Sequence, residues 1–344
     1  MRTYLWFALL AIVGCNDNND NHLVTRTDIA TDATDPTLIN AWGLAFNPSG
    51  VAWVSANGTG VSVVYNADGG HVIPPITIPG PSIAEVGAQA TPTGQVFNGN
   101  GNAFLGDAFI FATEDGTISA WQPVAGTAAV SRIDNSPESA VYKGVAIGQA
   151  LNGDDRLYAT NFHAGTVDVY DSSYHLVQGG FVDSQLPDGF APFNVAVVPG
   201  GVLVSYALQD ADKHDDVPGA GNGFVDLYDG DGNLLTRLIS GVELNSPWGM
   251  TISPSSFTAA QNNLLVGNFG DGLIHVYDFN SSNQTATFRG VLNTKTATPI
   301  AIDGLWALQF GPGAGGFDSD VLYFTAGPAS ESEGVFGSLT SRSD

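Results

Sequence analysis

The chain has 344 residues, among them 43 glycines and 18 prolines, and 10 Lys and Arg against 34 Asp and Glu, for a formal net charge of −24. That composition, with no long run of apolar residues at helical spacing, excludes a helix bundle and points to an all-β body. The charge speaks against nucleic acid and anionic lipid headgroups as partners and for cations, and a single cysteine excludes an internal disulfide.

The first 14 residues stand apart from any fold. Arg2 supplies a short positive start, and residues 4–13 form an apolar run too short to anchor in a bilayer. Ile12, Val13, Gly14 and Cys15 resemble a bacterial lipobox, whose cysteine is acylated after cleavage. Residues 1–14 are therefore expected to be a lipoprotein signal peptide and Cys15 the lipidation site. Residues 15–22, with the run NDNNDN, are expected to be a polar tether without the apolar content to fold. The expected location is the bacterial cell envelope. The body, residues 23–344, is then a monomer that meets the membrane only through its lipid.

Beyond residue 40 the chain repeats itself. Residues 41–65, AWGLAFNPSGVAWVSANGTGVSVVY, are written again at 246–278 as SPWGMTISPSSFTAAQNNLLVGNFGDGLIHVYD. The residue in the Trp position is successively Trp42, Thr93, Lys143, Phe193, Trp248 and Trp306, in steps of 51, 50, 50, 55 and 58. Second strands are expected at 51–56, 109–113, 156–160, 202–206, 264–267 and 321–325. A glycine opens each third strand, at Gly60, Gly116, Gly165, Gly223, Gly272 and Gly334. Six units of about four strands predict a six-bladed β-propeller, which hides strand edges by radial repetition. Only 38 residues follow Trp306, so the last blade is one strand short. Residues 23–29 are expected to supply its outer strand and so join the two ends of the chain.

Alternating strand directions put the first-strand starts and the second-to-third loops on one face, beside the channel mouth, where propellers collect their function. The first-strand starts contribute Trp42, Lys143, Phe193, Asn194, Trp248, Asp303 and Trp306. The loops contribute Glu114, Asn161, His163 and Asn268. Acids on the opposite turns, such as Asp171 and Asp229, read as hairpin formers.

The loop ALQDADKHDDVPGAGN, residues 207–222, is more than twice its counterpart in blade two. Asp210, Asp212, Asp215 and Asp216 would repel one another there unless a cation sat among them. Oxygen ligands at this irregular spacing suit a structural calcium ion, although the loop lacks the glycine and final Glu of an EF-hand. His214 stands inside it as a neighbour of the ion.

WGLAF, QDADKHDDVPGAGNGFVDLYD, SPWGM, LLVGNFGDG, IDGLWALQFG and FTAGP together resemble a family of secreted bacterial six-bladed propellers, distantly similar to NHL-repeat propellers. The resemblance implies the fold across nearly all of 23–340 and no particular activity. Two functions stay open. A calcium-dependent lactonase- or esterase-like hydrolase would draw its acid, base or nucleophile from Asp303, His163, His214 and Glu114. A recognition module would present Trp42, Lys143, Phe193, Asn194, Trp248, Trp306, Asn161 and Asn268 to a small molecule, glycan or protein at the mouth. No GxSxG, HExxH or Cys–His motif supports the first, and the aromatic level favours the second.

Overall fold

The computed structural model describes residues 22–85, 87–177, 179–257 and 263–341. The expected signal peptide, Cys15 and all of the tether but His22 lie outside the described residues. Six four-stranded antiparallel sheets form the blades. Their inner strands are Ala41–Asn47, Pro92–Phe97, Tyr142–Gln149, Phe190–Val198, Pro247–Ile252 and Leu305–Phe310. Blades one to five run outward in chain order. Blade six is built of Leu305–Phe310, Val321–Ala326, Val335–Ser341 and, as its outer strand, Val24–Thr31. The closing strand pairs Val24 with Ser341 and Thr31 with Val335, two residues further along than the sequence predicts.

All six inner strands break register at or just after the Trp position. A bulge there re-aims the strand start and frees backbone groups. Side chains from neighbouring blades take several of them up. Thr325 accepts from the Ala307 N–H of its own blade at 3.0 Å and donates to the Trp42 carbonyl of blade one. Thr160 accepts from Gly144 N–H at 2.8 Å and donates to the Phe193 carbonyl at 3.3 Å. One hydroxyl thus ties a bulge to the next blade.

Four of the glycines ahead of third strands, Gly60, Gly116, Gly165 and Gly272, have φ between 69° and 81°. That left-handed turn is what a side chain would resist. On the opposite turns, Asp171 accepts from the N–H groups of Ser173 and His175, and Asp229 from those of Asp231 and Asn233, as expected of hairpin formers.

Buried carboxylates mark several seams between blades. Tyr65 Oη donates to Asp35 at 2.5 Å, and Tyr174 Oη to Asp107 at 2.8 Å, where Arg132 completes the pair. In blade four, Asp226 and Asp183 share Arg237. Burial first, and then the neighbouring Asp183, push Asp226 up to about 7.

Candidate functional site

The bulged strand starts converge on the axis, and their side chains close it. Trp42 and Trp306 stack at 3.6 Å between centroids, 14° from parallel, and Phe269 stacks on Trp306 at 4.0 Å. Trp248 meets both tryptophans edge-on at 6.4 and 5.8 Å. Phe193 packs against Trp306 at 6.0 Å and Phe162 at 5.3 Å. Trp42 is 2% exposed, Trp306 1%, Trp248 4% and Phe193 0%. The aromatic level predicted from the repeat is therefore a plug across the channel, and the large ring faces expected to be open are spent on one another. Phe269, half-buried, is the outermost ring of the stack.

Lys143 is 1% exposed. Its Nζ lies 5.2 Å from the Trp42 centroid and 5.9 Å from that of Phe162. It donates to Glu114 Oε1 and, at 3.2 Å, to Asp215 Oδ1. Burial opposes its charge, and the two carboxylates outweigh burial and raise its pKa. Lys143 is thus a buried ion-pair partner at the edge of the mouth. Glu114 Oε2 also accepts from Asn57 Nδ2 at 2.8 Å; Asn57 Oδ1 accepts from Asn40, which in turn accepts from Trp306 Nε1 at 3.0 Å. His214 Nδ1 sits 2.9 Å from Asp215 Oδ1. That hydrogen bond raises His214 and holds Asp215 well below the usual carboxylate range. A chain of polar contacts therefore runs from blade six through blades one, two and three to blade four.

The four loop carboxylates part company. Asp210 closes its own turn, accepting from His214 N–H at 2.9 Å, while Asp212 stays exposed. Asp215 and Asp216 reach the mouth. The donor atoms of Glu114, His214 and Asp215 lie within 4.8 Å of one another, a spacing that suits a metal, and the Lys143 ammonium already bonds two of the three.

Over the plug lies a pocket of about 290 Å³. It is lined by the rings of Trp42, Trp306 and Phe269, by Lys143, Asp215 and Asp216, and by Ser330 and Glu331. Ser330 and Glu331 come from a turn in which Ala329, Ser330 and Glu331 all have φ between 52° and 66°. Each left-handed residue of this kind costs roughly 1–2 kcal/mol. Asp303, a catalytic candidate, holds the turn by accepting from Ala329 N–H at 2.9 Å. Burial first, then Glu114, push Glu331 up to about 7, and burial likewise raises Asp216.

The other candidates serve the framework. Asn161 bonds Asp168 and Ala164 N–H within its own blade. Asn194 donates to the Trp248 carbonyl at 2.7 Å, and Asn268, fully buried, donates to the Glu243 carbonyl at 2.8 Å. His163 is half-buried in the blade-three loop and does not line the pocket. Phe269, Ser330 and Glu331 were not singled out by the sequence. Phe269 follows Asn268 in a predicted loop and could have been found there; Glu331 carries no motif.

No family model matches the chain. It is 28% identical over 337 residues to uncharacterized protein L690 of Acanthamoeba polyphaga mimivirus, covering 93% of this chain and 84% of the relative. It is 28% identical over 333 residues to uncharacterized protein R648 of the same virus, with 93% and 79% covered. These relatives are viral, so the resemblance to a secreted bacterial family finds no support in them. Among solved structures, virginiamycin B lyase from Staphylococcus aureus superposes with a TM-score of 0.50 at 12% identity, covering 92% of this chain and 98% of that one. A protein of unknown function from Bacteroides thetaiotaomicron gives 0.54 at 11%, covering 92% and 72%. At such identities the likeness concerns the fold: this chain is a six-bladed β-propeller with four-stranded blades, closed by its N-terminal strand.

Proposed function

We propose that the chain is a recognition propeller that binds a small ligand in the mouth pocket and does not turn it over. One observation carries this reading: three of the four acid–base candidates expected from the sequence are engaged with neighbouring groups, while Asp216 and Glu331 line the pocket beside them. Glu114 is held by Lys143 and Asn57, His214 by Asp215, and Asp303 by the Ala329 N–H. The cavity is lined by three aromatic rings together with Asp216 and Glu331, a composition suited to binding and orientation.

The test pairs two screens. Lactone and ester panels are expected to give no turnover. A thermal-shift screen of small metabolites is expected to give a stabilising ligand whose effect is lost in Phe269→Ala. Turnover that dies with Asp303→Asn or His163→Ala would sink the recognition reading in favour of the hydrolase.

Export belongs to the same proposal. With Cys15 acylated, the wild-type protein partitions into detergent and Cys15→Ser does not. A wild-type protein found wholly in the aqueous phase removes the anchor and leaves the pocket as it is.

A further inference from the structure

One buried polar atom at the mouth pocket lacks a hydrogen-bond partner among the described residues: Trp42 lines the pocket, and its indole Nε1 has none. Asp216 lines it too, with the Ser246 hydroxyl as its side-chain hydrogen-bond partner. The indole N–H can only donate, and an ionised carboxylate can only accept. Buried groups of this kind normally find partners, so the indole calls for a ligand acceptor, and the carboxylate has room for a ligand donor besides that hydroxyl.

Charge narrows the choice further. Lys143 is the one cation among the pocket's walls, and its bonds go to Glu114 and Asp215. Asp216 and Glu331 share the field of that one ammonium without pairing with it, beside Phe269 at the end of the ring stack. A positive group is favoured both by the two carboxyls and by an aromatic face.

We propose that the mouth pocket takes a small protonated amine that also carries a hydroxyl or carbonyl oxygen, its N–H groups going to Asp216 and Glu331 and its oxygen accepting from Trp42 Nε1. The proposal rests on the recognition reading and gives it a ligand class. Glu331 faces Glu114, Asp215 and Asp216 and the Lys143 ammonium, with His214 beside Asp215, so an incoming ammonium enters a pocket where carboxyls outnumber cations.

Calorimetry on the full chain tests this with four probes: ethanolamine, ethylamine, tetramethylammonium and ethylene glycol. Ethanolamine is expected to bind best. Ethylamine lacks the oxygen, tetramethylammonium the N–H groups and ethylene glycol the charge. In Trp42→Phe the advantage of ethanolamine over ethylamine disappears; in Asp216→Asn both amines weaken by about tenfold, as loss of a charge-assisted bond requires. Glu331→Gln likewise weakens both amines and leaves ethylene glycol unchanged. Melting curves show which variants are folded, and Asp216→Asn decides the matter if Trp42→Phe is not. Ethanolamine binding no tighter than ethylene glycol, or unchanged in Asp216→Asn, overturns the amine assignment. Phe269-dependent binding of a ligand without an ammonium also overturns it, while leaving the recognition reading standing. No Phe269-dependent ligand of any kind removes both.

Discussion

Replacing Lys143 by methionine keeps the side chain's length and apolar stem and removes only the ammonium. Glu114, whose side chain is 11% exposed, would then keep one partner, Asn57 Nδ2 at 2.8 Å, for a charge formerly shared with a buried lysine. Breaking one side of a buried ion pair costs about 3–5 kcal/mol. The surviving Asn57 bond and the shallow burial of Glu114 argue for the lower end. Asp215 adds little, because its side chain is 66% exposed and water replaces the lost contact. A loss of about 3 kcal/mol corresponds to a drop of about 4–5 °C in a domain of this size. Calorimetric melting at neutral pH measures it. The double variant Lys143→Met, Glu114→Gln should recover most of the loss, since no buried charge is left without a counterion. A Lys143→Met protein that melts with the wild type would refute the reasoning. So would a double variant no more stable than the single one, which would place the cost in the packing around Trp42 and Phe162.

Three other outcomes are expected. Deleting residues 22–31 exposes the outer edge of Val335–Ser341 and should abolish cooperative melting or cause aggregation; an unchanged melting temperature would mean that the ring closes without that strand. Asp226, with its pKa raised from 3.8 to about 7, stabilises the fold while protonated; that contribution is whole below about 4 and is lost as pH climbs from there to about 7. The wild type should thus lose stability between about pH 4 and 7 and Asp226→Asn should lose less; parallel pH–melting curves would remove the idea. Calcium is proposed to engage the Asp-rich loop through Asp215. Titrating chelator-stripped protein should then give heat and a higher melting temperature, both lost in an Asp212→Asn, Asp215→Asn variant. No heat in the wild type leaves the loop a solvated insertion pinned by Lys143.

The repeat made much of this legible. Six Trp positions at near-constant steps are enough to count blades, and a last unit one strand short points to an N-terminal strand as its completion. The same alignment places Lys143, Glu114 and Asp215 on one face, although 29 and 72 residues separate Lys143 from its partners. Whether a recurring tryptophan faces solvent or another tryptophan is a different matter. It depends on how closely six bulges crowd one axis, and Trp42 and Trp306 are adjacent only because the ring closes. Glu331 was out of reach for a local reason: residues 329–331 hold a left-handed conformation without glycine, where propensity predicts nothing of the kind.

The clasp between Val24–Thr31 and Val335–Ser341 has a consequence for how the molecule is made. Its partners are more than 300 residues apart, so the strand made before blades one to five must wait for the one made after them. Loop-closure entropy is a modest obstacle, about 3 kcal/mol more than for a hairpin of 15 residues. Time is the larger one: at 5–20 residues per second the leading strand spends roughly 15–60 s with a bare edge while blades one to five assemble behind it. Arg26 and Asp28, both partly exposed and paired to each other at 2.7 Å, put charge on that edge from the start. Charged edge strands resist pairing with the wrong neighbour, which protects the nascent chain until its own last strand arrives.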